Sequence, residues 1–338
     1  MKKLLLLSAL AAAAASCATV EVADREVKDQ EIKFNVAPVT KAEPSFSTTN
    51  VFKSWAWYLP KNSTWDSKNG VVPTEYINGE TIKYVAPKWK ADKSYNWPKD
   101  GGALTFFAYS LNSSNLTLTS GADVTCTAAD GIKVTGYDAK TDKNVDFLVA
   151  DIQKDQTANR TNDRWDGVPT IFRHKLSSLG FSIKLTDADK LADKFTLKSI
   201  SLKNVKYKGE YVQTAEEKWT PAADVTAFSY YSDETGQIFT STSEPVEGDY
   251  TFYLPQEFTK SGADVSDSDP LVEIVYTVKT GNTERTITAK HALKDVFSDN
   301  WKIGKKYTCE ISMALDEILW APSVSDWEPA SGNTITIE

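Results

Sequence analysis

At 338 residues the chain exceeds one ordinary domain, and its 41% hydrophobic and 25% charged content is that of a folded globular protein, not a disordered or collagen-like one. A formal charge of −8 with no Lys/Arg-rich block excludes a nucleic-acid footprint. Ten Trp, 14 Tyr and 14 Phe against 2 His and 2 Met suit β-sheet interiors and leave histidine and metal chemistry short of ligands.

The chain opens with Met1-Lys2-Lys3, an apolar run from Leu4 to Ala15 broken by one Ser, and then Ser16-Cys17. A charged start, a short apolar run and small residues make residues 1–16 a secretory signal peptide, and the run falls short of the ~18 residues a bilayer span needs. Ala14-Ala15-Ser16-Cys17 resembles a bacterial lipobox, with Ala14 where Leu is usual. The resemblance implies lipidation of Cys17 and anchoring by several acyl chains, palmitate among the candidates. The alternative is a plain cleaved signal in which Cys17 is incidental. Ala18 follows the Cys instead of Asp, which by the same resemblance points to the outer membrane. Residues 17–30 read as a polar linker, and no further window of ~18 apolar residues follows.

From there period-two alternation recurs: Leu104-Phe106-Ala108, Val145-Phe147-Val149, Leu179-Phe181-Ile183-Leu185, Tyr250-Phe252-Leu254, Val272-Ile274-Tyr276-Val278 and Tyr307-Cys309-Ile311-Met313. Turn signals separate such runs, among them Asn69-Gly70, Asn78-Gly79, Asp130-Gly131 and Thr280-Gly281-Asn282. Many short strands without long helical periodicity predict an all-β chain of antiparallel β-sandwiches, with one short helical stretch at Asp187 to Asp193. The sequence turns polar from Lys208 through Asp224, which predicts two sandwich domains over 31–210 and 211–338. Cys126 and Cys309 each occupy an apolar alternate position, where burial as a small side chain competes with a disulfide.

No local pattern carries catalysis. His174, in Phe172-Arg173-His174-Lys175-Leu176, shares a strand face with Phe172 and reads as a hydrogen-bonded structural residue, and His291 reads the same way. Nucleophile elbows and zinc-ligand spacings are absent, so neither catalytic residues nor cofactors are expected. The acidic stretches Asp155 to Asp166 and Asp264 to Asp269 lack the twelve-residue calcium loop with its terminal Glu and read as solvated loops. A glycosidase needs two carboxylates at a set separation, and 46 acids single out no pair. Trp55, Trp57, Trp65, Trp89 and Trp97 crowd one region, as stacking platforms for a sugar or as core filling.

Several stretches taken in order carry a resemblance: Glu31-Ile32-Lys33-Phe34-Asn35-Val36 leading to Thr40-Lys41-Ala42; Tyr95-Asn96-Trp97-Pro98; Leu104 to Tyr109; Val145 to Ala150; Phe172 to Leu176; Trp301 to Tyr307; and Val324-Ser325-Asp326-Trp327. Together they resemble the fimbrillin-like lipoproteins of Bacteroidales-type bacteria, subunits of type V pili. The resemblance implies two transthyretin-like β-sandwich domains in tandem, export through the periplasm to the cell surface, and no catalysis. It implies cleavage after a basic residue near the end of the first strand, removal of that strand, and its replacement by a strand from another pilin subunit.

Carried onto this sequence, the removable strand is Ile32-Phe34-Val36 and the cut falls between Lys41 and Ala42, with Lys where family members more often carry Arg. Cleavage after Arg25 is the alternative and retains the strand. The donor is the final segment, with Ile335 and Ile337 entering pockets, unless that segment is an ordinary last strand. The expected partners are other pilin subunits, the outer membrane before processing, and a host glycan or protein ligand. Competing functions are a surface glycan-binding lipoprotein using aromatic stacking and a glycan-degrading enzyme.

Overall fold

The computed structural model describes residues 30–36, 46–158, 167–186, 194–213, 216–297, 300–314 and 318–327. The expected helical stretch at Asp187 to Asp193 lies outside the described residues. In the first half of the chain the strands are β1 Phe34–Val36, β2 Phe52–Leu59, β3 Thr74–Val85, β4 Lys88–Ala91, β5 Ala103–Ser110, β6 Asp123–Thr127, β7 Gly131–Asp138, β8 Leu148–Ala150, β9 Gln153–Gln156, β10 Val168–Thr170 and β11 Phe172–His174. They are followed by β12 Ser177–Leu185, β13 Phe195–Lys206, β14 Lys208–Val212, β15 Lys218–Pro221, β16 Val225–Gln237, β17 Glu244–Val246, β18 Phe252–Tyr253, β19 Leu271–Thr280, β20 Thr283–Ala292, β21 Lys305–Met313 and β22 Ile318–Asp326. One turn of helix, α1 Leu293–Val296, precedes β21. The chain is all-β, as its alternation predicts. Pairing is antiparallel except for β1 with β10 and β12 with β21.

The first sheet runs β10-β1-β4-β3-β2-β5-β8-β11, with β9 beside β5. Its two end strands, β10 and β11, are separated in the chain by Ile171 alone. One stretch of chain therefore pairs with β1 on one side and with β8 on the other, and the sheet curls into a closed barrel. Alternation sorts the side chains of β5: Leu104, Phe106 and Ala108 enter the barrel with Phe52, Ile82 and Phe172, while Phe107 and Tyr109 point outward with Trp55 and Trp57. A four-stranded sheet, β15-β14-β7-β6, covers that outward face with Ile132, Val134, Tyr137, Tyr211 and Trp219. Asn78-Gly79 is no turn. It lies inside β3, where Gly79 adopts φ +60° opposite a register shift in β2 and a Cβ would sit 3.0 Å from the Trp55 ring.

The remaining strands form a two-layer sandwich. One layer is β17-β12-β21-β22 with β18 beside β12, the other β16-β13-β19-β20. Phe181, Ile183, Ile200, Leu202, Ile274 and Ile311 fill the space between them. The predicted turn at Thr280-Gly281-Asn282 closes the β19–β20 hairpin, with Thr280 opposite Thr283.

Strand pairing departs from the expected division at 210/211. β12 and β13 belong to the sandwich with β16–β22, whereas β14 and β15 return to cover the barrel beside β7. The polar stretch from Lys208 is thus a hairpin, not a domain boundary. Tyr211 and Trp219 are buried on its inner face, and Lys208, Glu210 and Lys218 supply the polarity from its outer one. Cys126 on β6 and Cys309 on β21 are free thiols in different clusters. Burial pushes the Cys309 thiol up to about 12.

Because β12 and β13 are interior strands of both sandwich layers, a chain of residues 211–338 alone is expected to lack a folded core. Far-UV circular dichroism and amide NMR dispersion check this, and a well-dispersed spectrum from that fragment would contradict the interlocked pairing.

Candidate functional site

The first strand is short, and its alternation decides what it does. Ile32 and Phe34 are 3% and 2% exposed, on the side facing the barrel interior, while Lys33 points outward. The Phe34 ring meets Phe52 edge-on at 5.5 Å and Phe106 at 5.7 Å. Val36, half-buried, packs against the same cluster. Burial of the Ile32 and Phe34 side chains contributes on the order of 1.5–3 kcal/mol each.

Backbone bonds hold β1 lightly. Phe34 pairs antiparallel with Trp89 of β4 at a single position, and Phe34–Val36 run parallel to Val168–Thr170 of β10. Upstream, Ile32 N donates to Tyr95 O at 2.7 Å and Trp97 N donates to Gln30 O at 3.0 Å. Gly167 adopts φ +133°, and a Cβ there would lie 2.8 Å from Lys33 O, so only glycine allows β10 to approach β1 this closely. Without β1 the barrel would lack one stave. The gap between β10 and β4 would then expose Phe52, Phe106 and Trp89 together with unpaired strand edges.

Downstream, the described chain resumes at Phe46, whose ring stacks on Phe172 at 4.9 Å and 18° and contacts Phe52 and Trp89. The chain between Val36 and Phe46 carries the expected cut at Lys41 and Ala42, which lies outside the described residues. Cys17, Arg25, Ile335 and Ile337 also lie outside them. Of the expected site residues, the structure thus places Phe34 and Val36 on β1 and Ile32 two residues ahead of it, all three packed in or against the barrel core.

The residues weighed for chemistry are structural. His174 Nδ1 lies 2.8 Å from Asp146 Oδ1, and Asn112 Nδ2 donates to Asp146 Oδ2 at 3.1 Å while Asn50 Nδ2 donates to Asn112 Oδ1 at 2.7 Å. The His174 ring stacks on Trp327 at 3.8 Å and 6°, and Phe252 stacks on Trp327 at 4.9 Å. This stack joins the barrel, through β11, to the last strand of the sandwich. Next to it the buried Lys175 Nζ meets Glu217 Oε1 at 2.8 Å, where the Tyr211 hydroxyl also donates. Burial first, and then the Glu217 carboxylate, raises the Tyr211 phenol well above its ordinary value. Pattern reading placed His174 correctly as hydrogen-bonded but could not show the Lys175–Glu217 pair, whose members lie 42 positions apart in sequence.

Neither acidic stretch gathers a cation site among the described residues. Asp269 spends its carboxylate on Ser261 N and Ser266 N, and Asp155 Oδ1 accepts from Trp65 N. Trp55, Trp57, Trp65 and Trp89 are buried in the cores, and Trp97 packs half-buried against Phe106, so these five form no exposed sugar platform.

A family model described as fimbrillin-like matches residues 40–327. The chain belongs to the fimbrillin-like family. Among solved structures, this fimbrillin-like chain is similar to a candidate cell adhesion protein from Bacteroides uniformis, at 15% identity over 88% of this chain and 99% of that one, with a TM-score of 0.52. It is equally similar to a fimbrial protein from Bacteroides vulgatus, at 15% identity, 88% and 100% coverage and a TM-score of 0.52. At that identity the likeness speaks for the fold alone. No curated protein matches the sequence. Family membership makes the chain a structural subunit of the fimbrial or adhesive kind, at the cell surface, and not an enzyme.

Replacing Phe34 with Ala is expected to cost about 3–5 kcal/mol, since it empties the space between Phe52 and Phe106. Urea unfolding measures this, and a loss below about 1 kcal/mol would show that β1 does not hold the barrel closed.

Proposed function

We propose that this fimbrillin-like chain is exported as an outer-membrane lipoprotein on Cys17 and polymerises into a fimbria by strand exchange after proteolysis. The observation that carries the reading is the first strand itself. It is three residues long, it fills one position of a closed barrel with Phe34 while Ile32 just ahead of it is buried in the same core, and it precedes the basic residue Lys41. A cut after Lys41 severs β1 from the rest of the fold, and only its local contacts then retain it.

The vacated place has a defined chemistry. It offers unpaired backbone groups on β10 and β4 and an apolar slot lined by Phe52, Phe106 and Trp89, which an incoming strand with alternating β-branched side chains satisfies. Asn333-Thr334-Ile335-Thr336-Ile337-Glu338 has that alternation, with Ile335 and Ile337 spaced to enter the places of Ile32 and Phe34. Cleavage after Arg25 instead leaves β1 attached and the barrel closed, whereas an uncut subunit, still lipidated on Cys17, serves as a terminal or anchoring unit.

Deleting Thr334 to Glu338 is expected to leave a folded monomer with an unchanged circular dichroism spectrum and to abolish fibres after protease treatment. Negative-stain electron microscopy is the readout, and fibres of normal length from the truncated chain would overturn the donor assignment.

A further inference from the structure

A cavity of about 360 Å³ opens between the end of β2, the start of β3 and the connection from β4 to β5. Its volume falls in the ~300–1,000 Å³ range of small-molecule sites. Tyr58 and Tyr76 line it together with Pro98, and Thr74, Glu75 and Lys99 stand at its rim. Tyr58 and Tyr76 sit at the rim of the barrel core on β2 and β3, and none of these residues takes part in the His174–Trp327 stack.

Both tyrosines are held by their hydroxyls. Tyr58 OH donates to Asp100 Oδ2 at 2.5 Å, and Gly102 N donates to Asp100 Oδ1 at 3.0 Å. Tyr76 OH donates to Asn96 O at 2.5 Å. With their protons committed, the rings are fixed in place and half-exposed, so a ligand stacking on them orders few side chains. The bond from Tyr58, followed by that from Gly102 N, holds the Asp100 carboxyl below its usual range, so it remains an ionised acceptor into mild acid.

We propose that this cavity binds a neutral saccharide, with a sugar ring stacked on the tyrosine faces and its hydroxyls donating to Glu75 and Asp100. A sugar ring presents apolar C–H faces and hydroxyl donors at its edge. The cavity offers the complement: aromatic faces on its wall and acceptor-only carboxylates at its edge. Two carboxylates against one ammonium disfavour sialylated or sulfated sugars. Lys99 on the same rim disfavours a lysine or arginine side chain. The site is complete in a single uncut subunit: Asn96, which accepts from Tyr76 OH, bridges to Glu31 just ahead of β1, so binding is measured on the mature, uncut chain and needs no polymerisation.

The test is an array of immobilised neutral, sialylated and sulfated oligosaccharides probed with the mature chain, followed by titration calorimetry of the neutral hits and of a tri-lysine peptide. A neutral oligosaccharide is expected to bind with Kd of ~1 mM or tighter, and Tyr76→Ala to weaken it about tenfold. Glu75→Gln, on the exposed rim, is expected to weaken binding with an unchanged unfolding midpoint, which separates a lost contact from a lost fold. Tyr76→Phe, which keeps the ring, is expected to retain binding. Absence of every neutral saccharide from the hits, binding unaffected by both Tyr76→Ala and Glu75→Gln, or a Tyr76-dependent preference for acidic sugars or tri-lysine would overturn the proposal.

Discussion

The closure of the barrel by a three-residue strand is the constraint on which the rest depends. A sheet that curls on itself has no free edges only if every position in the strand order is filled, and β1 fills the one between β10 and β4. Phe34 is the reason that so short a strand suffices: its ring meets Phe52 and Phe106 edge-on in a core that also holds Phe172 and Trp89. The strand's ladder gives one bridge to β4 and three paired positions on β10, and the buried side chains of Phe34 and of Ile32 just ahead of it add an apolar hold. A segment held in this way can be replaced by another segment with the same alternation.

The two parts of the molecule are tied by more than a linker. The chain passes from the barrel into the sandwich at β12, returns at β14 and leaves again at β16, so neither part is made of one continuous stretch. Trp327, at the end of the last strand, lies between the rings of His174 and Phe252, and its backbone N donates to Gly304 O at 3.0 Å. Beside that joint the exposed Glu217 carboxylate, which also accepts from the Tyr211 hydroxyl, pairs with the buried Lys175 ammonium. Pulling the parts asunder would strand these groups without partners.

Much of this was legible in the sequence. The alternations of Leu104-Phe106-Ala108 and Leu179-Phe181-Ile183-Leu185 appear as β5 and β12, because period two is fixed by the strand backbone. The ordered motifs pointed to the family, and Ile32-Phe34 was readable as a one-faced strand. Three features were hidden, each for a physical reason. The hairpin of β14 and β15 reads as a polar domain boundary because its outer face dominates its composition, while Tyr211 and Trp219 mark the inner one. The crossings between parts depend on which strands pair, and alternation sets a face without naming a neighbour. The tryptophan cluster read equally as a sugar platform or as core filling, and burial took Trp55, Trp57, Trp65 and Trp89 into the cores, while Tyr58 and Tyr76 remain half-exposed at the cavity.

The central claim is that β1 is present in the folded precursor and absent from the assembled subunit. Fimbriae sheared from cells and dissociated for intact-mass determination and amino-terminal sequencing test it most directly. The account predicts a subunit that begins at Ala42 and has lost Ile32, Phe34 and Val36. An assembled subunit that still begins at a lipidated Cys17, or at Glu26 after cleavage at Arg25, would contradict it.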